Sequence, residues 1–244
     1  MDSGLVPTAE SAALDEAILE AHISGEVPNT LHFYRRAAPT VSIGYFQKVG
    51  ESVDLPECER RGVAIVRRKS GGSSIYTDSG QLIYGLVLRD KELPADRTDS
   101  FCVICSALAE AIRGFGIDAR FRPLNDIEVG GRKISGNAQL RRKGSVLQHG
   151  TVIVDTDLEA MDAVLKVVRS SREGVVKPSD RVVTMSSLLG SAPDMDEVKG
   201  RIADAVAAKF KVRLDGKRLS ALEKDSASRL VEEYYGKNEW NRRF

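Results

Sequence analysis

Apolar positions recur along this chain with two periods, and the two alternate. Leu14, Ala17, Ile18 and Ala21 fall at helical spacing behind Thr8 and Ser11, which predicts a first helix. Residues 31–34 and 40–45 are strand-like and are divided by Pro39. A short helix over 55–61 and a strand over 63–67 follow, and then a turn at Gly71 and Gly72. Residues 74–76 and 82–88 predict a hairpin across Asp78, Ser79 and Gly80. Thr98, Asp99 and Ser100 cap a helix that runs to Arg113 and stops at Gly114 and Gly116.

A strand over 119–122 leads into a predicted antiparallel meander of 126–129, 132–140 and 146–155. Its turns fall at Gly130 and Gly131 and at Lys143 and Gly144. A helix over 158–168, a polar and mobile loop over 170–180, a helix over 195–210, a short strand over 212–214 and a final helix over 219–235 complete the pattern. The sum is α+β: a mixed, largely antiparallel sheet with helices packed on one side, rather than a doubly wound sheet.

Composition changes this picture little. The 244 residues are read as one domain spanning 1–244, long enough to bury a substantial core. With 36 basic and 35 acidic residues the formal charge is +1, which argues against a general nucleic-acid binder. No apolar run approaches the roughly 18 residues of a membrane span, and no basic-then-apolar leader opens the chain. A soluble, cytoplasmic protein is expected. The three cysteines do not form a disulfide framework. Cys102 and Cys105 make a C-x-x-C inside a predicted helix, either a redox or metal pair or two small buried residues on one face; no second pair or spaced histidines support zinc.

Candidate chemistry lies in two segments. Arg67, Arg68, Lys69, Ser70, Gly71, Gly72 and Ser73 place cations beside backbone that lacks side chains, then hydroxyls. Such a turn lets an anion reach the N–H donors. In the second segment Lys133 stands between Gly131 and Gly136, with Ser135 and Asn137 beside it. A lysine so placed can reach a ligand lying over a sheet and neutralise a carboxylate and a phosphate oxygen as a point charge. Asn125 and Asp126 precede it, and Asp126 is a candidate Mg²⁺ ligand. His149 beside Gly150 can line the same pocket.

These segments resemble the lipoate–protein ligase family, within the biotin/lipoate ligase superfamily. The resemblance runs through Arg67 to Gly72, through Asn125 and Asp126 to Lys133, Ile134, Ser135, Gly136, Asn137, Ala138 and Gln139, and through Gln148, His149, Gly150 and Thr151. It reaches the tail at Tyr234, Tyr235, Trp240 and Asn241. It implies a core related to class II aminoacyl-tRNA synthetases. It also implies ATP- and Mg²⁺-dependent formation of lipoyl-AMP from lipoate, followed by lipoyl transfer to a lysine of a carrier protein.

On this resemblance Lys133 is the catalytic residue. Arg68, Ser70, Gly71, Gly72, Ser73, Tyr76, Asn125, Asp126, Ser135, Gly136, Ala138, His149 and Gly150 bind the substrate or adenylate. The chain stops soon after Trp240, which resembles split ligases that work with a separate accessory subunit. Ser73, Ser74 and Thr77 depart from the family loop. An octanoyl transferase of the same fold is the first alternative; such enzymes use a cysteine near the lysine motif, and residues 121–126 contain none. A non-catalytic binder of lipoylated partners is the second.

Overall fold

The computed structural model describes residues 1–166, 168–170 and 174–243. Twelve strands are present among them: β1 (Asp2–Val6), β2 (Thr30–Arg36), β3 (Thr40–Ile43), β4 (Ala64–Arg67), β5 (Ile75–Thr77), β6 (Gln81–Arg89), β7 (Arg120–Arg122), β8 (Asp126–Val129), β9 (Arg132–Arg142), β10 (Ser145–Ile153), β11 (Val168–Ser170) and β12 (Gly174–Val176). The helices are α1 (Thr8–Ser24), α2 (Val49–Ser52), α3 (Leu55–Arg61), α4 (Arg97–Arg113), α5 (Leu158–Val164), α6 (Met185–Leu189), α7 (Met195–Phe210), α8 (Ala221–Leu230) and α9 (Asn238–Asn241).

The main sheet has seven strands in the order β1-β2-β6-β10-β9-β8-β7 and is antiparallel except for β1 beside β2. A second sheet, β4-β3-β5, is parallel between β3 and β4 and antiparallel between β3 and β5. The expected mixed, largely antiparallel architecture with flanking helices is therefore present, and the β8–β10 meander forms as the local turns predicted.

Four expectations need correction. Helices cover both faces of the main sheet, not one. On one face Leu82, Tyr84, Leu86 and Leu88 of β6 pack with Ile104 and Leu108 of α4 and Val198 and Ile202 of α7. On the other, Ile83 and Val87 meet Leu14, Ile18 and Leu19 of α1. β6 is buried at its first eight positions, the mark of a strand covered on both sides. The second correction concerns residues 74–88, which are not a hairpin. β5 pairs with β3, whereas β6 lies between β2 and β10. The chain changes sheets at Asp78, whose carboxylate accepts from the Gly80 N–H, the Thr156 hydroxyl and the Asp157 N–H.

The predicted mobile loop carries the antiparallel pair β11 and β12; its residues 171–173 lie outside the described residues. Finally, residues 212–214 form no strand, the helix expected over 158–168 ends at Val164, and the last long helix changes to π-helical geometry over Val231–Tyr235.

α1 deserves its place in the functional account for one reason. It is buried around most of its circumference and yet carries Asp15 and Glu16, exposed to only 5% and 3%. Acids this deeply placed require partners. Among the described residues no helix is long and apolar enough to cross a membrane.

Candidate active site

A cavity of about 370 Å³ opens between α1, the pocket-facing side of β6, β9 and β10, and the glycine loop of residues 70–73. Ala12, Ile75, Ile83, Leu140 and Leu147 give it an apolar lining. Lys133, Asp126, His149, Asp15 and Ser70 give it a polar one.

The glycine loop is shaped by two close approaches. A Cβ on Gly44 would lie 2.0 Å from the Gly72 carbonyl oxygen, so the loop rests directly on β3's end. Gly72 has a φ of 97°, which favours glycine. Beneath the loop the Arg68 guanidinium donates to the carbonyl oxygens of Ser42, Gly71 and Ser73. Burial, together with the neighbouring Arg36, lowers its pKa to about 10.

The two flanking cations are engaged as well. Arg67, fully buried, donates to carbonyl oxygens of Gly44, Gln47, Trp240 and Arg243 and so ties the loop to the C-terminal segment. Lys69 Nζ lies 2.6 Å from Glu16 and over the rings of Tyr234 and Trp240. The expected cluster of ligand-facing cations is thus a set of structural braces. Arg68 lines the cavity while it holds the loop.

Lys133 is different. It lies across Gly136, where a Cβ would sit 3.4 Å from its Cδ and 3.7 Å from its Nζ. Its ammonium is 2.9 Å from Asp126 Oδ1, and its side chain keeps 35% exposure toward the cavity. Asp126 Oδ2 accepts from Arg122 at 2.8 Å. Asn125 and Asn137 bond each other through side-chain amides and backbone carbonyls, which fixes the loop before β8. Gly136, Ala138, Asn125, Gly150, Gly71, Gly72 and Ser73 all line the cavity, as expected.

Two expected site residues do not reach it. In β5 the alternation sends Ile75 and Thr77 inward and buries Tyr76 among Val41, Ile43 and Val63. Ser135 is fully buried beside Asn137 and is not part of the lining.

The sequence reading missed Asp15, Tyr34 and Arg36, which also line the cavity. Asp15 Oδ2 accepts from the Tyr34 hydroxyl at 3.1 Å and is 2.7 Å from His149 Nδ1. His149 Nε2 is 2.6 Å from Ser70 Oγ. Two signals pointed this way: adjacent acids inside an apolar helical pattern, and Gly85 inside an apolar strand. A Cβ on Gly85 would meet Asp15 Oδ1 at 2.8 Å, so that glycine admits the carboxylate to the sheet.

Asp126 does not suit Mg²⁺. Both its oxygens face cations, and among the described residues no group of three or more His, Cys, Asp or Glu is placed to hold a metal ion.

The lipoyl protein ligase A/B catalytic domain family matches residues 7–207, and the chain belongs to this family. Among its relatives, the octanoyltransferase LipM of Kyrpidia tusciae is 33% identical over all of this chain and 97% of its own length. The octanoyltransferase LipM of Geobacillus kaustophilus is 31% identical over 99% of this chain and 96% of its own. A bipartite lipoate protein ligase from Thermoplasma acidophilum, solved in a study that includes its E2 lipoyl domain, is 29% identical. It covers 98% of this chain and 94% of its own with a TM-score of 0.83.

The fold implied by the resemblance is therefore present, but the activity needs correction. The curated relatives are transferases, which move an acyl group already activated. This overturns the expectation of an ATP-dependent, AMP-forming lipoate ligase, and with it ATP and Mg²⁺ as cofactors. The physical reason is that a glycine loop and a lysine beside an acyl carbonyl serve a thioester as well as an adenylate.

Proposed function

We propose that this chain transfers an octanoyl group from a thioester donor to the side-chain amine of a lysine on a lipoyl-type carrier domain in the cytoplasm. One observation carries the reading: Lys133 lies partly exposed at the polar end of a cavity whose other walls are apolar. The octanoyl tail lies against Ile83, Leu140 and Leu147. Burying its six or so methylenes contributes about 5 kcal/mol, at roughly 0.8 kcal/mol each. The acyl carbonyl then falls near Lys133, whose ammonium stabilises the oxyanion formed on attack. The names of the curated relatives support the acyl group and the absence of a nucleotide step. The E2 lipoyl domain studied with the Thermoplasma ligase supports the acceptor class.

The acceptor amine begins with a pKa near 10.4, so only roughly one in a few thousand is neutral at pH 7. A base within the cavity and removal of water from the ammonium both favour the reactive form. The test is to incubate the chain with octanoyl-acyl carrier protein and a lipoyl domain, then weigh the domain. A mass gain of one octanoyl group on one lysine is expected. A domain left unmodified under conditions where the chain is folded contradicts the reading.

A further inference from the structure

Asp15, His149 and Ser70 stand in line inside the cavity, 2.7 Å from carboxylate oxygen to Nδ1 and 2.6 Å from Nε2 to hydroxyl oxygen. The carboxylate only accepts, so Nδ1 carries the proton and Nε2 of a neutral ring accepts from the Ser70 hydroxyl. A hydroxyl, a base within hydrogen-bond reach and a third group that orients the base define an activated nucleophile on any fold. All three residues line the cavity that holds Lys133. Ser70 opens the glycine loop, and the backbone N–H groups of Gly71 and Gly72 donate to no acceptor among the described residues. Asp15 Oδ1 is buried with no hydrogen-bond partner among them.

The cysteines stand elsewhere. Cys58 is buried beneath the second sheet, and Cys105 lies in the core on the opposite face of the main sheet. Cys102 is on the same helix as Cys105, and none of the three lines the cavity. A transfer between two carrier proteins through this cavity is simplest if the acyl group waits on the enzyme while the carriers exchange.

We propose that Ser70 holds the octanoyl group as an oxygen ester between donor and acceptor, with His149 as its base and Asp15 as the residue that positions the imidazole. This rests on the octanoyl-transfer reading. Ser70 Oγ attacks the thioester carbonyl as His149 Nε2 takes its proton. The C–S bond breaks, and the departing thiol receives that proton. The acceptor amine then attacks the ester carbonyl and passes a proton to His149. His149 returns the proton to Ser70 Oγ as the C–O bond breaks and the amide forms. In both steps the negative charge on the carbonyl oxygen is met by the Gly71 and Gly72 N–H groups and by Lys133.

The test is to mix the full chain with octanoyl-acyl carrier protein alone, map the adduct by mass spectrometry, and then add the lipoyl domain. We expect one octanoyl group on Ser70, resistant to neutral hydroxylamine and discharged onto the domain's lysine. Ser70→Ala removes the adduct and slows transfer by about a thousandfold. Ser70→Cys, which keeps the fold and a nucleophile, still transfers and makes the adduct labile to hydroxylamine. An adduct on a cysteine, or continued transfer with no adduct and sequential kinetics, overturns the role of Ser70 and leaves octanoyl transfer standing. Absence of both adduct and transfer in the folded chain overturns the two together.

Discussion

Gly85 and Gly150 sit in adjacent strands and clear space on opposite faces of the same sheet. On the cavity face, the missing side chain of Gly85 admits Asp15 toward His149. On the core face, a Cβ on Gly150 would lie 2.1 Å from Asn137 Oδ1, where the Tyr84 hydroxyl bonds Asn137 at 2.7 Å. Gln148, next to His149, joins that core network through Tyr84 and Gln139. The two polar clusters are close in space and different in kind. The core cluster spends its donors and acceptors internally, which fixes the sheet against α4. The cavity cluster keeps the Lys133 ammonium partly exposed and leaves the Gly71 and Gly72 N–H groups without internal acceptors. Buried polarity that is saturated builds the fold; polarity left available beside a cavity does chemistry.

Substitutions on the two faces should therefore separate rate from stability. Lys133→Ala is expected to lower octanoyl transfer by about two to three orders of magnitude with an unchanged melting temperature. A loss of folding in this variant would break the division. Gly150→Ala should do the reverse, costing about 2–4 kcal/mol in urea denaturation because the new methyl group displaces the Tyr84–Asn137 bond.

A third effect depends on pH. Burial lowers the pKa of His32 to about 4. Unfolded, it titrates near 6.5, so between those values the unfolded chain binds a proton that the folded chain refuses. Stability should fall as pH drops from 6.5 toward 4, by up to about 3 kcal/mol from this residue. His32→Asn should flatten the pH dependence of the denaturation midpoint in that window; an unaltered slope counts against it. Cys105→Ser, on the core face, should leave the transfer rate within about twofold and cost on the order of 1 kcal/mol of stability. A dead Cys105→Ser enzyme that remains folded would move the chemistry to the wrong side of the sheet.

Much of the sheet was legible because its signals are local. The β8–β10 meander is written in alternation and in glycine turns, and Lys133 between glycines marked the cavity wall. What was not legible depends on distant partners. Nothing near residues 75–88 states that β5 joins β3 while β6 enters the main sheet. Tyr76 and Ser135 sit within recognisable motifs, but the facing of a single residue is set by register, and both turn away. Asp15 comes from a helix more than a hundred residues from His149, so only the oddity of acids in an apolar helix hinted at it. The activity was misjudged for a related reason. The glycine loop and lysine stabilise an acyl carbonyl, and they do not disclose which leaving group it carries.

The most direct measurement is the nucleotide dependence of acyl transfer. Initial rates should be taken with octanoyl-acyl carrier protein and a lipoyl domain, in excess chelator and without nucleotide, and again with ATP and Mg²⁺. The account predicts full transfer in both, with no AMP released. Strict dependence of domain acylation on ATP, with free octanoate or lipoate as the only acyl source, would contradict it.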